Sequence, residues 1–231
     1  MIAGAAALGL LSLLSARGVP KQAEYAARWD PAAGGPATAA EVAARLGLEA
    51  PGAGTACEVR YFDLPAPQGA PKEAAAILRR RVCDDGSSEI RLKYRTAHPL
   101  ESWACPAGVG FHASSQVDVG FGADASSRAY AYACTLSSDD APAPLHAVPK
   151  PCAARMTRFE TRDDGNHRVK IEDWTLPGGG RRLEISRTAP DDGDSLAAFE
   201  RLVERLRVSG VRLLEESKTE LGSRCPENGA R

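Results

Sequence analysis

The stretch Ile77–Arg95, ILRRRVCDDGSSEIRLKYR, decides how the rest of the chain is read. Two runs rich in branched and charged residues flank a polar, glycine-containing turn at Asp84–Ser88, the signature of a β-hairpin. Successive side chains of a strand point to opposite faces. Arg79 and Arg81 therefore share one face, with Leu78 and Val82 on the other. On the second strand Arg91, Lys93 and Arg95 share a face opposite Ile90, Leu92 and Tyr94. A five-residue loop sets Arg81 across from Arg91 and Arg79 across from Lys93. Like charges directly opposed destabilise a sheet, so this face requires water, carboxylate partners or a bound anion. A slip of one residue would send the two basic sets to opposite faces. Two readings stand at this point: a solvated arginine-rich sheet face, or an anion site.

The chain has 231 residues and a formal net charge of -1. That length fits one large β-rich domain. The charge excludes general nucleic-acid binding, which needs a dominant basic surface. It leaves room for a local phosphate site, because the basic residues are clustered. Ile2–Leu14, IAGAAALGLLSLL, is a small-plus-apolar run too short for a comfortable membrane span. It resembles the apolar core of a secretory signal, and a buried helix is the other reading. Residues 1–18 are accordingly expected to be a leader, 19–225 the folded domain and 226–231 a tail, with export to a periplasmic or extracellular space.

Six cysteines, Cys57, Cys83, Cys105, Cys134, Cys152 and Cys225, lie scattered without CxxC spacing, which argues against zinc. An even number suits disulfides in an oxidising compartment. Cys57 with Cys83 and Cys105 with Cys134 are plausible pairs, since each lies on or near successive strand-like segments.

Outward from the hairpin, KQAEYAARWD reads as a strand with Glu24, Ala26 and Arg28 on one face. Thr38 caps an alanine-rich helix that stops near Gly47. ACEVRYFDLP is a further strand. SSQVDVGFGADASSRAYAYACTL is a second hairpin, with Val117, Val119 and Phe121 on its first strand. RMTRFETR and HRVKIEDW form a third hairpin, and RRLEISR another strand. Asp194 or Ser195 caps an amphipathic helix with Leu196, Phe199, Leu202, Val203 and Leu206 as its apolar stripe. VRLLEESKTELG closes the fold as a short strand. The count is about eight strands, mostly hairpin-connected, with two or three helices: an α+β antiparallel barrel with helices packed outside.

The order of these pieces resembles the CYTH superfamily, the triphosphate tunnel metalloenzymes, over about Glu24 to Gly222. YFDLP looks like its tyrosine-rich strand. ILRRRV followed by IRLKYR is similar to its LRxR and LTLK pairing, MTRFE to KxRY, VKIEDW to WEVDVF, LEIS to AEVEL, and SKTELG to the terminal SKY. The resemblance implies a closed eight-stranded antiparallel tunnel with a polar interior. It implies phosphate contacts from Arg28, Arg79, Arg81, Lys93, Arg158 and Lys218, since bidentate guanidinium contacts suit phosphate oxygens. It implies Mg²⁺ or Mn²⁺ on Glu24, Glu172 and Glu184, because these ions prefer anionic oxygen. Two family carboxylates are replaced, by Ala26 and Ser186. The expected partner is a phosphorylated small molecule or polyphosphate, with no stable membrane span.

Two functions follow, a metal-dependent triphosphate hydrolase or an exported barrel that binds such anions without turning them over, and the blander alternative is a structural extracytoplasmic domain with no anion site. His98, His112, His146 and His167 show no ligand spacing, and neither a GxSxG elbow nor a Walker-type glycine loop occurs.

Overall fold

The computed structural model describes residues 19–65, 74–107, 109–138 and 145–226. The expected leader and most of the tail lie outside them. Among the described residues ten strands form: β1 Gln22–Trp29, β2 Thr55–Asp63, β3 Ala75–Cys83, β4 Ser88–Thr96, β5 His112–Phe121, β6 Ser126–Leu136, β7 Val148–Pro149, β8 Ala154–Arg162, β9 Arg168–Thr175 and β10 Arg181–Pro190. Their order is β3-β4-β6-β5-β1-β10-β9-β8-β2, and β2 pairs back onto β3 to close the ring. The two-residue β7 pairs only with the end of β2.

The barrel and its outer helices are as expected, but nine strands close it rather than eight. β1 and β5 run parallel; the other ring neighbours are antiparallel. An odd ring cannot alternate direction all the way round, so one parallel pair is a topological necessity. It falls at β1–β5 because β6, not β5, pairs with β4.

The decisive hairpin has a shorter turn than expected. Gly86 takes a left-handed conformation (φ 80°), and the Asp85 carboxylate accepts from Ser87 N at 2.9 Å. Pairing therefore begins at Val82 with Ser88, which sets Arg81 opposite Glu89, Arg79 opposite Arg91 and Ile77 opposite Lys93. The slip is two residues, so every side chain keeps its face. What changes is the neighbour: a carboxylate, not a second guanidinium, stands across from Arg81.

The apolar core lies outside the barrel wall. Val117, Val119 and Phe121 of β5 join Ile171, Leu183 and Ile185 beneath two helices, α1 (Ala39–Leu46) and α2 (Gly193–Val208). Phe199 of α2 is fully buried between Tyr25 and Phe121, ring centroids 5.8 and 5.4 Å away. Thr38 Oγ1 caps α1 by accepting from Glu41 N, and Gly47 ends it left-handed. Asp192, not Asp194 or Ser195, caps α2: its carboxylate accepts from Ser195 N at 2.8 Å. A second apolar layer covers the outer face of β3, β4 and β6, with Trp103 against Tyr132. With both outer faces packed apolar, the alternate positions are turned inward.

Disulfides join Cys57 to Cys83 and Cys105 to Cys134, the two expected pairs, and Cys152 to Cys225. The C-terminal stretch is not the short strand expected of it. Leu213 makes a single bridge to Trp29, and Ser217 then starts a helix, α3 (Lys218–Ser223). Ser217 and Glu220 form a reciprocal capping box, an S-x-x-E signature that outweighs the weak strand pattern. Among the described residues no helix is long and apolar enough to cross a membrane.

Candidate anion site inside the barrel

The inward faces of the strands, with α3 at one side, enclose a cavity of about 590 Å³. Eight of the nine expected site residues line it: Arg28, Arg79, Arg81, Lys93, Arg158, Lys218, Glu24 and Glu172. The ninth, Glu184, is buried behind them and bonded to two of them. Three groupings divide the wall.

On β3 and β4, three guanidinium groups surround one carboxylate. Glu89 lies 3.5 Å from Arg81 Nη2 and 3.9 Å from both Arg79 Nη2 and Arg91 Nε. Its Oε1 is buried without a hydrogen-bond partner. These contacts are electrostatic rather than hydrogen-bonded. Burial and then the neighbouring Arg158 push the Arg81 guanidinium below its usual range, and burial and Arg79 do the same to Arg91. Positive charge here exceeds what one carboxylate neutralises.

Where β4 faces β5 and β1, the charges are matched. Lys93 Nζ stands 2.9 and 2.6 Å from the two oxygens of Asp118, and Arg95 Nε donates to Asp118 at 2.8 Å. Gln116 Nε2 donates to both Asp118 and Glu24 at 2.8 Å, tying the two acids together. Burial would raise the Glu24 carboxyl, but Lys218 and Lys93 outweigh it and hold it at about 2. Burial prevails at Lys93, whose ammonium is pushed down to about 8 despite Asp118.

The third grouping joins β1, β8, β9, β10 and α3. Arg158 donates twice to Glu172 Oε1, at 3.1 and 2.8 Å. Glu172 Oε2 accepts from Trp174 Nε1 at 3.1 Å and Lys218 Nζ at 2.9 Å. Lys218 also donates to Glu184 Oε1 at 2.7 Å, and Arg28 Nε to Glu184 Oε2 at 2.5 Å. Burial opposes ionisation of Glu172, yet Lys218 and Arg158 keep it well below the usual carboxylate range.

This donor set decides how a divalent ion would fit. Every oxygen of Glu172 and Glu184 already accepts from a cationic group or the indole. Among the described residues no cluster of three or more His, Cys, Asp and Glu side chains is arranged to hold a metal. Of the expected Mg²⁺ or Mn²⁺ ligands, Glu172 and Glu184 are engaged by internal cations and Glu24 accepts from Gln116 with Lys93 at 4.0 Å, so as arranged they do not fit a resident divalent ion.

Sequence reasoning did not single out Glu89, Gln116 or Asp118. Alternation carried the signal for the last two: with Val117, Val119 and Phe121 outward, Gln116 and Asp118 point inward. Arg91 and Arg95 share the basic face with Lys93 yet carry no expected role, and Lys170 also lines the cavity. Glu89 was hidden by the turn, since its role depends on a two-residue difference in register.

No protein-family model matches the chain, and no curated protein matches it in sequence. Solved structures share its fold. The Hippeastrum protein HpAC1, whose structure is described as revealing a dominant triphosphatase activity, superposes with a TM-score of 0.52 at 13% identity, over 89% of this chain and 98% of that one. PH1819 protein from Pyrococcus horikoshii gives a TM-score of 0.47 at 15% identity, over 86% and 97%. At 13% identity the likeness to HpAC1 concerns the fold alone.

Proposed function

We propose that the barrel binds a linear polyphosphate-type anion, a tripolyphosphate or an organic triphosphate, in its interior. One observation carries this: Arg79, Arg81 and Arg91 converge on the cavity around a single carboxylate that has a buried oxygen without a hydrogen bond. Guanidinium groups brought together out of water repel, and a multivalent oxyanion relieves that repulsion with charge-assisted, bidentate hydrogen bonds. Lys93 and Arg95 continue the row along β4 with their charge balanced by Asp118 and Glu24, so the unbalanced charge that a polyanion meets is that of Arg79, Arg81 and Arg91. Three disulfides suit an oxidising compartment, and with the apolar leader they support export.

Hydrolysis of the bound triphosphate, the activity named for HpAC1, is the second reading, favoured by the retained Glu24, Glu172 and Glu184. It would require carboxylates now paired with Lys218, Arg28 and Arg158 to be released.

Calorimetric titration with sodium tripolyphosphate tests the binding. The wild type is expected to bind, and the Arg79→Ala/Arg81→Ala variant to lose binding while keeping its fold. Unchanged binding in that variant would refute the site. Phosphate release that needs Mg²⁺ or Mn²⁺ and vanishes in Glu184→Ala would establish the second reading instead.

A further inference from the structure

Lys218 occupies a position of a particular kind. Its ammonium stands 2.9 Å from Glu172 Oε2 and 2.7 Å from Glu184 Oε1, a single cationic point between two carboxylates. Those two residues are direct partners in the β9–β10 register, so their side chains rise side by side into the barrel. The same ammonium lies 5.9 Å from the centroid of the Trp174 ring, a neighbour that attracts an organic cation but offers a metal no oxygen. The outer oxygens are taken as well, Glu172 Oε1 by Arg158 and Glu184 Oε2 by Arg28.

Nor is Lys218 a wandering surface lysine. Its side chain is 17% exposed, and it opens a helix held by the Ser217–Glu220 capping box. The Cys152–Cys225 disulfide anchors the residues just after that helix to those just before β8. Burying two carboxylates is costly unless they are paired and hydrogen-bonded, and Lys218, Arg28 and Arg158 already supply three positive charges against two negative ones. A divalent ion added to these five groups would enter a set already net positive, with the nearby Glu24 held by Gln116 and facing Lys93 at 4.0 Å.

We infer that Lys218 is the built-in counter-cation of the Glu172–Glu184 pair, standing where a divalent ion would bridge them, so that the cavity takes its polyanion without a metal. The second half rests on the polyphosphate reading; the first stands on the ion-pair geometry alone. Two measurements on the full chain separate them.

The first uses Mn²⁺ alone, its free concentration followed by electron paramagnetic resonance. The wild type should leave Mn²⁺ free. Lys218→Met, of similar length without the charge, should bind it about tenfold or more tighter, the scale on which groups around metal ligands alter affinity. Mn²⁺ uptake by the wild type that disappears in Glu184→Gln overturns the inference. So does a folded Lys218→Met protein that binds no more tightly than the wild type. If Lys218→Met does not fold, the wild-type and Glu184→Gln comparison decides by itself.

The second is calorimetry with sodium tripolyphosphate in excess EDTA. Binding unaffected by EDTA supports metal-free recognition, and binding that appears only after Mg²⁺ is added overturns it. Absence of binding in both conditions overturns the polyphosphate reading and with it metal-free recognition, while the Mn²⁺ result still decides the role of Lys218.

Discussion

Replacing Glu89 by Gln should tighten polyphosphate binding while weakening the unliganded fold. Among the described residues Glu89 is the one carboxylate within 4 Å of Arg79, Arg81 and Arg91 together, at 3.5 to 3.9 Å. A phosphate bound on the cavity side of those guanidinium groups would sit roughly 7 Å from it. At that distance, with a dielectric between surface and bulk values, repulsion is about 1–2 kcal/mol per phosphate charge. Its removal corresponds to roughly tenfold in dissociation constant, since about 1.4 kcal/mol is one decade. The Glu89 side chain is 20% exposed, so the gain should shrink as salt screens it. The same loss leaves three guanidinium groups without their shared counter-charge. A cost of about 1–2 kcal/mol would lower the melting temperature by about 2–8 °C in a chain of this size. Calorimetry with tripolyphosphate at low and high salt, with thermal unfolding with and without ligand, checks both effects. A folded Glu89→Gln protein that binds no more tightly than the wild type would show that the β3–β4 grouping is not where the anion sits.

Two further outcomes concern stability. Glu24 is held at about 2 in the folded chain against an ordinary 4.5, so its contribution is complete above about pH 4.5 and lost as pH falls toward about 2. Wild type should therefore lose more stability than Glu24→Gln across that window, by about 2 kcal/mol after allowance for its partial exposure; parallel acid titrations of unfolding would refute the assignment. The Cys152–Cys225 bridge closes a separation of 73 residues, for which chain entropy gives about 4 kcal/mol. Urea denaturation of Cys152→Ser/Cys225→Ser should show a loss of that order. A loss under about 1 kcal/mol would mean that α3 is held by its ion pairs rather than by the tether.

Local rules and alternation account for much of this molecule. The strands surrounding the site are legible because apolar side chains recur at every second position and turns carry Gly, Asp and Asn. The inward set Arg79, Arg81, Arg91, Lys93 and Arg95 follows from parity, which a slip of two residues does not disturb. Thr38 and Gly47 mark the ends of α1 by chemistry that acts within one helical turn, and two of the three disulfides fall where successive strands bring cysteines together. What the tertiary structure alone decided is long-range. Nine strands instead of eight, and the parallel β1–β5 contact, depend on which hairpin edge meets which. The pairing of Glu172 and Glu184 with Lys218 depends on α3 being folded against the barrel, and that of Glu184 with Arg28 on β1 meeting β10. Those residues, with Arg158 on Glu172, lie 14 to 156 positions apart where they bond, and no local pattern encodes the longer of these separations. Residue type and spacing determine which charges point inward; only closure of the barrel determines which of them neutralise one another and which remain for a ligand.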